Sequence, residues 1–142
     1  MPVFAFHLAF PVRDIEETRR FYVDVLGCRE GRSTERWIDF DFFGNQISAH
    51  RSSEPRSTET SMVDGKAVPL HHFGAVLPRP VWDELRARLE AAGTTFLLEP
   101  QIRYAGKPSE QGTFFILDPS GNGLEFKSFT DESGMFAQVE AT

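Results

Sequence analysis

Several features that would assign this chain to a specialised class are scarce or missing in its sequence. It has a single cysteine, Cys28, so no internal disulfide can form, and this suits a reducing cytoplasm. Lys and Arg number 15 against 21 Asp and Glu, which argues against binding to nucleic acid or to an anionic membrane surface. No run approaches the roughly 18 apolar residues of a membrane-spanning helix, and the N-terminus lacks a signal-peptide pattern. We therefore expect a cytoplasmic protein that binds neither nucleic acid nor membrane.

The aromatic residues are strongly biased toward phenylalanine. Fourteen Phe accompany two Tyr and two Trp. Because Phe buries area without a polar atom to satisfy, the interior is expected to be dry. A length of 142 residues is enough for one domain with a substantial core, which we predict to extend over 1–142.

The sequence consists of two similar halves. Each half opens with a histidine in a short apolar run, at His7 and at His72, and continues after a proline into a helical pattern. Each half closes on a strand that follows a Gly-Asn turn, over 44–48 and 121–125. Since one such unit cannot bury its apolar face alone, the two copies are expected to pack together.

Periodicity indicates the same order of elements in both halves, which predicts an α+β fold. Strands are predicted over 3–10, 37–43, 46–50, 72–77, 95–98, 113–117 and 124–129, and helices begin near Asp14 and Pro80 and end at Gly27 and Gly93. The halves span 3–50 and 70–130, and the polar range 51–69 is predicted to be an exposed, mobile linker. About twelve extra residues of the second half fall within 100–112, which is predicted to be either a solvated loop or a substrate lid.

Three ionisable residues stand at related points of the two halves and suit a metal site. Because side chains alternate along a strand, His7 shares its face with two alanines, which leaves room for a bound group. Glu125 shares its face with Lys127, and a carboxylate is costly to bury unless it is paired or liganded. Two imidazoles and one carboxylate form the facial triad of Fe(II) and Mn(II) sites. We therefore predict His7, His72 and Glu125 as metal ligands.

Simpler interpretations of these residues stay open. A histidine on an apolar strand is often a hydrogen-bonded structural residue, and Glu125 can pair with Lys127 or with an arginine. His71 faces the opposite side of the strand from His72 and is the less suitable ligand of the two.

Two segments of the chain resemble one protein family. The segment 115–126, Phe-Ile-Leu-Asp-Pro-Ser-Gly-Asn-Gly-Leu-Glu-Phe, is similar to the closing segment of the vicinal oxygen chelate superfamily, the glyoxalase, bleomycin-resistance and extradiol-dioxygenase group. The segment 21–27 is similar to its first-helix signature, and the resemblance extends over 4–129. It implies two βαβββ modules whose mixed sheets curl around a divalent metal ion. Fe2+ is expected first, with Mn2+, Zn2+ or Ni2+ as alternatives, and a homodimer is expected because curled sheets leave edges that need cover.

The ligand pattern resembles the extradiol dioxygenase-like branch most closely. Glyoxalase I and related epimerases usually provide four protein ligands, but the position of the first closing-strand ligand is Ser48 here. The resemblance therefore implies a metal-dependent, dioxygenase-like oxidoreductase. Its substrate would be a small oxygen-chelating molecule such as a catechol, for which the metal needs vacant positions.

Five residues outside the ligand set are predicted to serve this chemistry. His50, two residues beyond Ser48 on the same strand face, is the candidate acid or base because imidazole titrates near neutral pH. Extradiol enzymes commonly carry Tyr where this chain has Phe115, and Tyr104 is the candidate replacement for that phenol. The residues predicted to bind substrate are Arg103, Phe115 and Lys127.

Other functions remain open at this point. A fosfomycin-type thiol transferase uses a similar set of two His and one Glu with Mn(II), but it needs cationic groups, for which Arg103, Lys107 and Lys127 are the local candidates. A glyoxalase-like lyase or isomerase is a second alternative. A metal-free drug-binding protein of the bleomycin-resistance type is a third, although such proteins lack the three ligands.

Overall fold

The structure is a computed structural model that describes residues 4–54 and 58–138. Its described residues divide into two compact units. Residues 4–54, 58 and 118–122 form the first unit, and residues 59–117 and 123–138 form the second. In the described part of the chain, no helix has the length and apolar character needed to cross a membrane.

The first unit contains one four-stranded sheet in the order β1-β4-β3-β2. Strand β1 is parallel to β4, and the remaining neighbours are antiparallel. Its elements are β1 (His7–Val12), α1 (Ile15–Arg19), a π-helical segment (Arg20–Val25), β2 (Arg29–Ser33), β3 (Trp37–Phe42) and β4 (Asn45–Arg51).

The second unit contains a four-stranded sheet of the same design, in the order β7-β10-β9-β8, and a two-stranded sheet β5-β6. Strand β7 is parallel to β10, and the other pairs are antiparallel. Its elements are β5 (Thr60–Val63), β6 (Lys66–Pro69), β7 (His72–Val76), α2 (Arg79–Ala91), β8 (Phe96–Arg103), β9 (Gln111–Leu117), β10 (Gly123–Phe129) and a 3-10 turn (Glu132–Phe136).

The strand register confirms the internal repeat. His7 pairs with Gln46 across β1 and β4, and His72 pairs with Gly123 across β7 and β10. The two histidines therefore occupy the same register position in the two sheets. Each half has the order strand, helix and three strands, as the predicted α+β fold requires.

Alternation along β1 places its apolar side chains on the helix-facing side of the first sheet. Phe10 and Val12 are buried, whereas His7 is exposed on the other face. The sequence predicts that Phe4 and Phe6 join this packing, and that prediction is wrong. Both precede β1 and are exposed, by 82% and 65% respectively, because the sheet begins only at His7.

The first helix begins as its sequence predicts. Asp14 caps it by accepting a hydrogen bond from the backbone N–H of Glu17 at 2.7 Å. The Glu17 carboxylate binds Arg13 instead of returning to the cap. Gly27 ends the helical segment with a φ of 82°, a conformation that favours glycine.

The predicted linker 51–69 is not without structure. Its second part forms the β5-β6 hairpin, and Val68 on β6 is fully buried against Leu98 and Phe115 of the second unit. The polar composition concealed this hairpin because only one face of each short strand is covered. The predicted loop 100–112 is also shorter than expected, since β8 continues to Arg103 and β9 starts at Gln111.

The turn at 118–122 belongs to the first unit although it connects strands of the second sheet. The Tyr22 hydroxyl donates to Asp118 at 2.9 Å, and the Asn122 side-chain amide donates to the carbonyl of Pro11 at 2.9 Å. Both Tyr22 and Asp118 are buried.

Burial raises the pKa of the Asp118 carboxyl, although hydrogen bonds from Asn122 and Tyr22 oppose the shift. Burial also raises the pKa of Tyr22 well above its usual value, so the phenol keeps its proton.

Candidate metal centre

His72 and Glu125 meet on one face of the second sheet. The imidazole Nε2 lies 3.4 Å from the carboxylate Oε1. The parallel register sets this approach, since Gly123 stands beside His72 and Gly74 stands beside Glu125. A Cβ atom at Gly74 would overlap the main-chain oxygen of Glu125, so only glycine lets the two strands lie this close.

The other imidazole nitrogen fixes the orientation of His72. Its Nδ1 lies 2.9 Å from the carbonyl oxygen of Pro69, which can only accept, so Nδ1 carries a proton. The second ring nitrogen, Nε2, therefore faces Glu125. Phe115 supports the ring edge-to-face, with centroids 4.9 Å apart. A histidine that donates one N–H to a backbone carbonyl is the usual arrangement for a metal ligand.

The two oxygens of Glu125 have different surroundings. Oε2 accepts a hydrogen bond from the Thr113 hydroxyl at 2.6 Å, and Thr113 is fully buried. Oε1 faces His72 and also lies 3.8 Å from Nζ of Lys127. The Glu125 side chain is 10% exposed, so its charge is largely withdrawn from water. The pairing of Glu125 with Lys127, which the sequence left open as an alternative to a ligand role, is present at this distance.

This donor set fits a divalent cation. A ring nitrogen and a carboxylate oxygen face each other at 3.4 Å, beyond a normal hydrogen bond. That separation matches two ligands that each lie about 2.1 Å from a shared ion. One imidazole and one carboxylate are borderline-hard donors that suit Fe, Mn, Zn or Ni.

His7 lies in the first unit, whereas His72 and Glu125 lie in the second. It is the first residue of β1, an edge strand of its sheet, and its side chain is exposed. Within 4–54 and 58–138, no three His, Cys, Asp or Glu side chains come together as a metal-binding group. The structure therefore assembles two of the three predicted ligands.

Ser48 stands in the first sheet where Glu125 stands in the second. It is buried, and its hydroxyl donates to the carboxylate of Asp39 at 2.6 Å. Asp39 in turn lines a cavity of about 300 Å³ in the first unit, together with Gln46 and Arg32. The Ser48 hydroxyl is thus committed to a protein partner, in agreement with its exclusion as a ligand.

The remaining predicted site residues lie near or just beyond the ends of strands. His50 is exposed near the end of β4 and pairs with Trp37 in the register. In the second unit, Arg103 forms an ion pair with Asp64 at 2.9 Å, and its guanidinium lies over the ring of Tyr104 at 4.8 Å. Tyr104 is 45% exposed. The replacement of the missing phenol by Tyr104 and the acid or base role of His50 stay predictions.

Two partners of the site were missed in the sequence analysis. The hairpin between β9 and β10 could have located Thr113, since the turn at 118–122 sets Thr113 opposite Lys127, two residues along the strand from Glu125. The carbonyl of Pro69 could not have been located, because every residue has a main-chain carbonyl and the sequence does not show which one accepts from His72. It also lies at the end of a hairpin that was predicted to be a linker.

Comparison with known proteins identifies the family. The sequence profile of the Glyoxalase/Bleomycin resistance protein/Dioxygenase superfamily matches residues 5–126. A glyoxalase/bleomycin resistance protein/dioxygenase from Alicyclobacillus acidocaldarius is 36% identical, with a TM-score of 0.81, and the match covers 94% of this chain and 96% of that one. No curated protein matches the chain.

More distant structures share the fold. The fosfomycin resistance protein FosX from Listeria monocytogenes is 17% identical with a TM-score of 0.69, over 94% of this chain and 99% of that one. An integron cassette protein from the mobile metagenome of Halifax Harbour sewage outfall is 21% identical with a TM-score of 0.67. That match covers 89% of this chain and 98% of the other. The family match, the repeated sheets and the first similarity together show that the chain belongs to the Glyoxalase/Bleomycin resistance protein/Dioxygenase superfamily.

Proposed function

We propose that this chain is a metal-dependent, dioxygenase-like enzyme whose substrate is a small molecule with two chelating oxygens, such as a catechol. The observation that carries the proposal is the His72–Glu125 pair, with Nε2 and Oε1 3.4 Å apart and each group held by a second partner. Such outer partners orient ligands before the metal binds. Fe2+ is the metal we expect first, with Mn2+, Zn2+ and Ni2+ as alternatives.

The surrounding residues provide positioning and exclusion of water. Phe115 is fully buried and packs edge-to-face against the His72 ring, so it shields part of that ring from solvent. Thr113 donates a hydrogen bond to Oε2 of Glu125, and Oε1 is the oxygen that would bind a cation. A bound divalent metal would supply Lewis acidity and lower the cost of deprotonating a substrate hydroxyl. His50 is the proposed acceptor of that proton.

We propose His7 as the third ligand, contributed by a second copy of the chain in a homodimer. Strands β1 and β7, which carry the two histidines, are edge strands of their sheets. Phe4 and Phe6 are exposed just before β1 and provide apolar surface for a partner. His7 itself is exposed and therefore accessible to a group from outside its own chain.

Metal analysis tests the site. Protein purified without oxygen should hold a stoichiometric divalent metal, and the Glu125→Ala variant should hold almost none while keeping its unfolding temperature. Glu99→Ala, at an exposed position of β8, is the matched control and should keep the metal. Full metal occupancy in Glu125→Ala would contradict the proposed ligand.

Mixing two inactive variants tests where His7 acts. His7→Ala and Glu125→Ala should each lose the metal alone. Refolded together, they should regain up to one metal per mixed dimer, since one site then receives His7 from one copy and Glu125 from the other. No recovery on mixing would contradict a site shared between copies.

Substrate panels test the reaction. The iron-loaded protein should convert a catechol with consumption of O2 and appearance of ring-cleavage absorbance. A fosfomycin-type reaction is the second candidate, because Lys127 lies beside Glu125 and could face a phosphonate. Thiol-dependent consumption of fosfomycin by the Mn2+-loaded protein, without catechol cleavage, would favour this second candidate.

A further inference from the structure

Lys127 lies beside Glu125, the proposed metal ligand. Its ammonium lies 3.8 Å from Oε1 of Glu125, the same oxygen that faces His72. The other oxygen, Oε2, is already bound by Thr113. The cation of Lys127 and a divalent metal would therefore compete for a single carboxylate oxygen.

The three neighbours of Glu125 differ in their freedom to move. Thr113 is fully buried, and His72 is held by Pro69 and packed against Phe115. The side chain of Lys127 is 37% exposed and carries its charge on a flexible four-carbon stem. Lys127 is thus the neighbour that can withdraw when a second cation arrives.

The nearby arginine is less able to take part. Arg103 stands on β8 of the same sheet, but its guanidinium is engaged by Asp64 at 2.9 Å and lies over Tyr104. Its side chain is 21% exposed. Lys127 therefore has the more mobile charge on this part of the sheet.

We infer that Lys127 is an exchangeable countercharge that couples metal binding to the binding of an anionic substrate. In the metal-free protein its ammonium neutralises Glu125. If Oε1 held a divalent metal, the ammonium of Lys127 would be displaced from that oxygen and would be available to bind an anionic oxygen of the substrate. This inference rests on the proposed metal site and specifies its substrate as a small chelating oxyanion. Lys127 adjoins the ligand on the same strand face, so the released charge stays within the site.

The two functions of Lys127 have opposite effects, and this makes the inference testable. Removing the charge removes a competitor of the metal but also removes a partner of the oxyanion. In Lys127→Met, metal affinity should rise by about two- to fivefold, the range of a partly exposed ion pair. Affinity of the metal-loaded protein for an oxyanion should fall by about fivefold or more. A purely structural role would lower both affinities together.

The experiment uses Co2+ as the metal and two probes of different charge. Co2+ affinity is measured by competition with a chelating dye, and 4-nitrocatechol and imidazole are then titrated into the Co2+-loaded protein by absorbance. Lys127→Met should weaken 4-nitrocatechol binding and leave imidazole binding unchanged. Lys127→Arg should restore oxyanion binding. Lys66→Met, at an exposed position of β6 in the same unit, should change neither Co2+ affinity nor 4-nitrocatechol affinity.

The outcomes separate this inference from the proposed function. A wild-type protein without stoichiometric Co2+ binding would overturn the metal site itself. Wild-type binding with a Lys127→Met variant that loses metal affinity, or that keeps full 4-nitrocatechol affinity, would overturn the exchange. Equal losses for imidazole and 4-nitrocatechol would also overturn it, because the effect would not depend on the charge of the probe.

Discussion

The hydroxyl of Thr113 donates to Oε2 of Glu125 at 2.6 Å, from a fully buried position on the neighbouring strand. This hydrogen bond distinguishes the two oxygens of one carboxylate. It fixes the rotation of the carboxylate plane and leaves Oε1 directed at His72. An outer partner of this kind usually strengthens metal binding by holding its ligand in place.

Replacement of Thr113 tests that relationship. We expect Thr113→Val, which keeps the shape of the side chain, to weaken metal binding by about 10- to 100-fold. Thr113→Ser should restore most of the affinity because it keeps the hydroxyl. Thr60→Val, at an exposed position of β5, is the control, and metal titration of all three variants checks the result. Unchanged affinity in Thr113→Val would show that Glu125 needs no such support.

Gly74 tests the close approach of β7 and β10. Gly74→Ala places a Cβ atom against the main chain of Glu125, so the strands must separate. We expect a loss of about 1–3 kcal/mol in the free energy of unfolding, as in other overpacked sites, together with weaker metal binding. The repeat provides a control, since Ala9 holds the same register position beside Ser48. Ala9→Gly should cost only about 0.5–1 kcal/mol in urea unfolding.

Tyr22 tests the buried hydrogen bonds of the 118–122 turn. Tyr22→Phe removes the hydroxyl that donates to Asp118 at 2.9 Å and leaves a buried carboxylate with one donor fewer. We expect a loss of about 1–3 kcal/mol in the free energy of unfolding. Tyr104→Phe, at an exposed ring, should change stability by less than about 0.5 kcal/mol. Equal stability of the two variants would contradict a structural role for the Tyr22 hydroxyl.

Asp118 should make a measurable contribution to the pH dependence of stability. Burial raises the pKa of its carboxyl above the usual 3.8, so between 3.8 and the raised value the folded state binds more protons than the unfolded state. The contribution of Asp118 to stability is therefore greatest below that window and is lost as the pH rises through the raised pKa. The free energy of unfolding in urea is measured for wild type and for Asp118→Asn at each pH. The wild-type value minus the variant value isolates this contribution. A difference that grows with pH would contradict the raised pKa.

Ser48 illustrates how the two sheets diverged in chemistry while keeping one backbone. A glutamate at this position would match the four-ligand pattern, but the buried Ser48 hydroxyl already donates to Asp39 at 2.6 Å. Ser48→Glu would place two carboxylates side by side, and we expect it to lower the free energy of unfolding in metal-free protein. X-ray absorption of the metal-loaded variant would show whether the coordination number rises. Stability equal to wild type would show that the Asp39 carboxylate can move aside.

Local patterns in the sequence determined the repeat and most of the elements. Asp14 and Pro80 mark the starts of the two helices and a glycine follows the end of each. Alternation of apolar residues marks β3 and β10, and a continuous apolar run marks β9. These signals act over a few residues, so a single sequence contains them. The equivalence of His7 and His72 follows from the same repeat, and the register confirms it.

Amino-acid composition did not indicate strands in a segment that buries only one of its faces. The range 51–69 is polar, yet its β5-β6 hairpin covers Phe115 through the single buried side chain of Val68. A segment that buries one small residue has the average composition of a loop. Its structure is decided by the surface on which it packs.

What the sequence determined by itself is the set of groups suited to a metal: two histidines and a carboxylate at related points of two modules. Tertiary structure alone decided which of them meet and what holds them. Nε2 of His72 faces Glu125 because the main-chain carbonyl of Pro69 accepts a hydrogen bond from Nδ1. Oε1 of Glu125 faces His72 and Lys127 because Thr113 binds Oε2. These are contacts between strands, and their distances depend on register and backbone separation, which the order of residues along the chain does not specify.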